Sequence, residues 1–498
     1  MWRSFLECGY SELISSGGDS RLALGPDGRN AYGSRCQVRD EIAFSSCSGS
    51  SPSSRCMAAA ETLIVALRST QTPKWIVADA IESVRRVLRS TMELSEDAEI
   101  ALTPSGTAST LLAIGLADRE PTRPLLHLLV GPREIGHRTV FAGSGNHYDR
   151  KVPRGGSAEP GNPVDRDLSR RIDVQTIDIR DSSGTIRLAS DLDAELQQCV
   201  SEAVEAGYRV LVHAVAHSKT GLFAPRLETL NRIHARLPND VIILVDAAQG
   251  RLGASFGTVA AGQLVAQGWM VHTTGSKFFG GPPTSGALIV PRRLRVRERR
   301  HGLPLAFGNY FSRAEMPKEW TAIRQSMDSW INVPAIVRWA AAIAEINSYQ
   351  RIPAKTRSQI LHRFEQSARR YFADQKGLAI LPSFDSANSD WSDGSFFAPS
   401  SVMSIQLENG NRIGEERVLA IQRSLSVSNS IQLGTPVEVA PNRWALRLAL
   451  GAPMMTRVAN DLSVGETIET RMSWLDSILL EVAERTSAAN TAKPLQIA

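Results

Sequence analysis

"HTTGSKFFGGPPTSGALIV", residues 272–290, sets one lysine, Lys277, between small hydroxylated residues and a Gly-Gly-Pro-Pro turn, with an apolar strand pattern on either side. Lysine ordinarily occupies a solvated face. At a strand tip with no charged neighbour in sequence, desolvation disfavours its ammonium, and the resulting neutral amine is a nucleophile toward carbonyls. The stretch therefore predicts an imine-forming lysine. Read alone, it also fits an ordinary surface-loop lysine.

Outward from this segment, short apolar runs alternate with helix-length stretches. Strand patterns fall at 98–106, 125–130, 173–186, 208–216, 241–247 and 269–274; helical spacing fills 107–118, 191–206 and 226–237. A short strand at 41–47 and helices at 55–69 and 75–90 precede them. Apolar strands separated by helices predict an α/β fold, a doubly wound, mostly parallel sheet covered on both faces. Its ligands belong beyond the carboxyl ends of the strands.

After the strand at 286–290 the texture changes. A long helix at 333–350 looks like a connector, and shorter units follow: strands at 378–382, 401–407 and 443–449, with helices near 355–373, 414–424 and 467–485. The predicted division is an N-terminal arm and mouth loop (1–54), a large α/β domain (55–315), and the connector with a smaller α+β domain (316–498). The polar segments 150–171 and 384–400 read as surface loops or lids. The arginine run 292–300 reads as a solvated face rather than a nucleic-acid patch.

Composition narrows the class. The 498 residues are 42% hydrophobic with a net charge of +5, a soluble globular chain with no demand for an anionic partner. No signal peptide is evident, and "LLHLLV" (125–130) and "VIILV" (241–245) are far too short to span a bilayer. Five cysteines, at 8, 36, 47, 56 and 199, contain no C-x-x-C pair, which fits a reducing cytoplasm and no disulfide framework or zinc site. His213 and His217 lack a carboxylate or cysteine nearby in sequence, so no metal is expected.

Three further pieces bear on chemistry. "TPSGTAST" (103–110) closes a strand and opens a helix, so Ser105, Gly106 and Thr107 can offer N–H groups and hydroxyls to a phosphate; taken alone, the motif is more often plain N-capping. "VIILVDAAQG" sets Asp246 at the end of a very apolar strand, where a carboxylate needs a partner such as a protonated ring nitrogen, with Gln249 three residues on; helix capping is the alternative. "RWALRLALG" sets Arg447 in a late apolar strand, where its fork matches a substrate carboxylate or a structural Glu.

The order of phosphate loop, VDAAQ, lysine turn and late strand arginine resembles the fold type I pyridoxal-phosphate enzymes. The similarity is greatest to the class V aminotransferase and cysteine desulfurase group, over about residues 41–455. The resemblance implies that Lys277 forms the internal aldimine, that Asp246 pairs with the pyridine nitrogen and that Gln249 lies near the phenolic oxygen. It implies that Gly106, Thr107, Thr274 and Ser276 hold the phosphate of pyridoxal 5'-phosphate, and that Arg447 takes the α-carboxylate of an amino-acid substrate. It also implies a homodimer with shared active sites, with 303–313 as the donated segment.

Departures from the group are visible. The ring-stacking histidine falls to His137, slightly out of step, with His147 as second choice. Ser218 stands where the group has an asparagine, and Ser276 where desulfurases carry a histidine. No cysteine follows Cys199, which speaks against transfer through an enzyme persulfide. Transamination is the expected reaction. A lyase, replacement or carbon–carbon bond-forming enzyme acting at Cβ or Cγ is the alternative, and a non-catalytic binding protein of the same fold is a third.

Overall fold

The computed structural model describes residues 7–492, apart from 71, 119, 121, 252–258, 295–301, 382–390, 392–400, 408–412, 429 and 461–466. Most of the arginine run 292–300 and nearly all of the segment 384–400 lie outside the described residues. Among the described residues thirteen strands run, in chain order, β1 (Ile42–Phe44), β2 (Ala98–Thr103), β3 (Leu125–Val130), β4 (Ile172–Ile177), β5 (Arg209–Ala216), β6 (Phe223–Ala224), β7 (Val241–Ala247), β8 (Met270–Thr274), β9 (Gly286–Pro291), β10 (Leu378–Ile380), β11 (Val402–Leu407), β12 (Ile431–Ala440) and β13 (Arg443–Ala449).

The large sheet has the order β2-β9-β8-β7-β5-β3-β4, with β6 paired to β5. Its strands are continuous runs of Val, Ile and Leu because both faces are covered. Successive residues point to opposite sides. Val210, Val212, Ile243, Val245, Val271 and Ile289 join one apolar cluster, while Leu211, Ile242, Leu244, Met270, Leu288 and Val290 join another. Pairings from β4 through β8 are parallel. β9 runs antiparallel to both β8 and β2. The reason is local: residues 275–285 contain no helix to carry a parallel crossover, so the chain turns straight back after Lys277.

The second sheet has the order β1-β12-β13-β11-β10, antiparallel except for β1 on β12. The strand of the N-terminal arm thus belongs with the C-terminal sheet, a pairing that no local pattern reveals. β12 was absent from the sequence reading because "IQLGTPVEVA" carries Gly434 and Pro436, which argue against a strand. The register shift between Gly434 and Val437 accommodates that proline as a bulge. The helix Val333–Gln350 lies where the connector was expected, against the helices Ser54–Arg68 and Pro73–Thr91. Among the described residues, no helix is long and apolar enough to cross a membrane.

Candidate active site

A cleft open to solvent lies at the carboxyl ends of β5, β7 and β8. Nine of the sequence-predicted residues line it: Ser105, Gly106 and Thr107 from the turn after β2, Ser218 after β5, and Asp246 and Gln249 from the end of β7. Thr274, Ser276 and Lys277 complete that group from the end of β8.

The helix Gly106–Ala117 points its N-terminus into the cleft. Ser105 Oγ caps it, accepting from Ala108 N at 3.2 Å, which leaves the first-turn N–H groups of Gly106 and Thr107 for an anion. Behind this turn β9 passes very closely. A Cβ on Gly286 would lie 2.6 Å from the Ser105 carbonyl carbon, so only glycine fits. Thr274 Oγ1 donates to Ala248 O at 2.6 Å, tying the β8 end to the turn after β7.

Asp246 is buried and faces a set of imidazoles. His272, its cross-strand neighbour, places Nε2 2.6 Å from Oδ1, while His213 Nε2 lies 3.8 Å from Oδ2. Ala248 N also donates to Oδ1, at 2.9 Å. Burial works against ionisation, but His272 and His213 outweigh it and hold the carboxyl well below its usual range. The far sides of the rings are fixed by acceptors. His272 Nδ1 meets Gly106 O at 3.1 Å, and His213 Nδ1 meets His127 Nε2 at 3.0 Å, whose Nδ1 meets Gly143 O at 3.1 Å. Carbonyl oxygens only accept, so this network assigns ring protons to His272 Nδ1 and His127 Nδ1, and hence to His213 Nδ1. Both Nε2 atoms lack a hydrogen bond of good angle, and the 2.6 Å approach stabilises the carboxylate only where His272 Nε2 carries a proton as well as Nδ1. A buried, ionised carboxylate among unsatisfied nitrogens is a good receptor for one more proton-bearing cation.

Lys277 is partly exposed to the cleft, and no described carboxylate lies within ion-pair distance. Burial lowers its pKa to about 8; Asp246 opposes the shift and Arg447 reinforces it. Gln249 donates Nε2 to Cys47 O at 3.2 Å and accepts from Arg251 Nη1 at 2.8 Å. Among the described residues Arg447, 3% exposed, bonds neutral oxygens alone: Thr435 O and Oγ1 at 2.6 Å each, with Cys47 O and Lys219 O at 3.5 and 3.4 Å. Behind the cleft wall, it is a guanidinium whose contacts are not with an anion. Its neighbour Arg443 is directed elsewhere, to Ser183 O and Gln406 Oε1.

No family model matches the sequence, and no curated protein does. Solved structures do. A cysteine desulfurase from Thermococcus onnurineus NA1 has 14% identity and a TM-score of 0.51, with 89% of this chain and 95% of that one covered. A NifS-like protein has 16% identity and 0.53, covering 89% and 99%. The cystine C–S lyase C-DES, bound to its product cysteine persulfide, has 14% identity and 0.54, covering 89% and 98%. The fold is that of the type I pyridoxal-phosphate enzymes.

Within this fold type I chain, some expected residues stand apart from the cleft. His137 is exposed beside the rim, its pKa lowered to about 4 by partial burial and by the charges of Lys219, Arg138 and Arg21. His147 is hydrogen-bonded to Tyr310 Oη at 2.6 Å. Neither is among the lining residues. Ser218 lines the cleft with its hydroxyl already donated to Glu134 Oε2 at 2.7 Å. Other lining residues escaped the sequence reading: Arg21 and Tyr32 of the N-terminal arm, Glu134, Lys219 and His272. His272 was within reach, since parallel alignment of "VDA" with "HTT" puts it beside Asp246. Arg21 carries no comparable signal.

Proposed function

We propose that this chain is a pyridoxal-5'-phosphate-dependent enzyme acting on an α-amino acid, with Lys277 as the residue that attaches the cofactor's aldehyde. The observation that carries the reading is an amine of depressed pKa without an anionic partner, in one cleft with a buried ionised carboxylate and a helix N-terminus. When bound, the cofactor supplies an electron sink that weakens the bonds at a substrate's Cα. Asp246 fits the ring nitrogen, where its negative charge holds a proton in place. Ser105, Gly106, Thr107 and Ser276 fit the phosphate through N–H groups and hydroxyls, while Thr274, its hydroxyl donated to Ala248 O, braces the turn behind them. Gln249, on the same turn as Asp246, would face the ring's oxygen with the amide proton that Cys47 O does not take. Arg447 is the candidate for the α-carboxylate, and to reach it the fork would have to exchange its bonds to Thr435 for the substrate's two oxygens. Lys277, as an amine at the cleft, would be the group that moves a proton at Cα. Transamination asks for no further base, and that economy favours it.

The test is direct. Protein supplied with pyridoxal 5'-phosphate should gain a visible band, and borohydride should fix the cofactor's mass on the peptide containing Lys277. Lys277→Ala should lose both, and a wild-type protein that stays colourless sinks the reading. An amino-acid panel then decides the reaction: a keto acid supports transamination, while release of a side-chain fragment redirects the assignment to a lyase.

A further inference from the structure

The charged groups of the cleft wall do not balance. Glu134 is saturated: it takes Arg180 Nε at 2.8 Å, Ser218 Oγ and Thr220 Oγ1 at 2.7 Å each, and Thr220 N at 3.3 Å. Asp246 is held by His272. Arg21 is spent on Asp19, with Nε–Oδ1 at 2.8 Å. Two amines remain, Lys277 and Lys219, and among the described residues neither has a carboxylate within ion-pair distance. Lys219 Nζ donates to Arg133 O alone, at 3.2 Å. Its own N–H and C=O are pinned, by Glu134 O at 2.7 Å and by Arg447 at 3.4 Å, so the residue is fixed at the cleft. Burial and the nearby Arg447 lower its pKa to about 7, with Glu134 opposing. An ammonium at the cleft beside other cations, bonded to one carbonyl, keeps donors that an anion can take up.

The chain brings Lys219 and the turn proposed for the phosphate to the cleft on different strands. Gly106 and His272 flank Asp246 from the β8 side of the sheet, whereas Lys219 follows β5 on the other side. Lys219 and Arg447 are adjacent through the Lys219 carbonyl. We infer that Lys219 receives a second anionic group on the substrate, so that the cleft selects amino acids with a side-chain carboxylate or phosphate ester. The inference rests on the proposed function. With Lys277 given to the cofactor and Arg447 to the α-carboxylate, Lys219 is the cation left over in the wall.

The experiment measures dissociation constants on the cofactor-loaded protein, by calorimetry and by spectral shift. The pairs are L-aspartate with L-asparagine, L-glutamate with L-glutamine, and O-phospho-L-serine with L-serine. For at least one pair the anionic member should bind roughly 10- to 100-fold tighter, the range of a charge-assisted hydrogen bond. The pair that shows it identifies carboxylate or phosphate. Lys219→Met should bring that ratio close to one, and Lys219→Arg should restore most of it. A wild-type ratio near one in every pair, or a Lys219→Met protein that keeps the ratio, overturns the inference while leaving the proposed function standing. Lys219→Met that instead loses pyridoxal phosphate overturns it too, by moving the lysine to the cofactor. A loaded protein that binds no amino acid overturns both.

Discussion

At the scale of single residues, Lys277 and Asp246 were legible because each is chemically out of place: an amine at a strand tip, a carboxylate ending an apolar run. His272 and Lys219 were not, because their meaning depends on neighbours across the sheet. The depressed pKa of Lys277 has a definite sign. Only the neutral amine attacks an aldehyde, so cofactor capture by the apoprotein should slow about tenfold per pH unit below roughly pH 8 and level off above it. Stopped-flow absorbance across pH 6–10 reads this, and a pH-independent rate would remove Lys277 from the attacking role. Arg447→Lys keeps charge but loses the planar fork, so amino-acid binding should weaken by about 1–3 kcal/mol while cofactor affinity holds. Equal loss of both, seen in paired titrations, would make Arg447 a structural residue.

At the scale of elements, most of the large sheet could be read from apolar runs, since two buried faces leave continuous Val, Ile and Leu. The second sheet was harder. β12 hides behind a glycine and a proline that a bulge absorbs, and β1 is three residues long. The junction of β9 with the helix Gly106–Ala117 yields a prediction of its own. Gly286→Ala forces a methyl against the Ser105 backbone, which cannot rotate away as a side chain does. The expected result is a loss of about 1–3 kcal/mol in stability, the usual range for overpacking, together with weaker binding of pyridoxal phosphate. Chemical denaturation and cofactor titration measure the two separately; an unchanged cofactor affinity would dissociate this turn from the phosphate.

At the scale of the whole molecule, a ligand that binds only the folded chain must raise its unfolding temperature with concentration, contributing about 2.7 kcal/mol at a hundredfold excess over Kd. Pyridoxal phosphate should do so for wild type and far less for Lys277→Ala, as calorimetric scans would show. Association is a separate question. Phe307, Tyr310 and Phe311 of the segment 303–313 are buried in their own chain, leaving Leu305, 80% exposed, as its apolar offering to a neighbour. We expect a homodimer in sedimentation, and an active monomer would refute it. One long-range contact has a consequence in time. Arg447 reaches the carbonyl of Cys47 across 400 residues of chain, and β1 finds its partner only in β12. At a synthesis rate of roughly 5–20 residues per second, that loop waits on the order of 20–80 s for its counterpart to emerge. Lys277, Asp246 and the Ser105–Thr107 turn emerge earlier, so a growing chain can have the residues proposed for the cofactor in place before the arginine proposed for the substrate has been made.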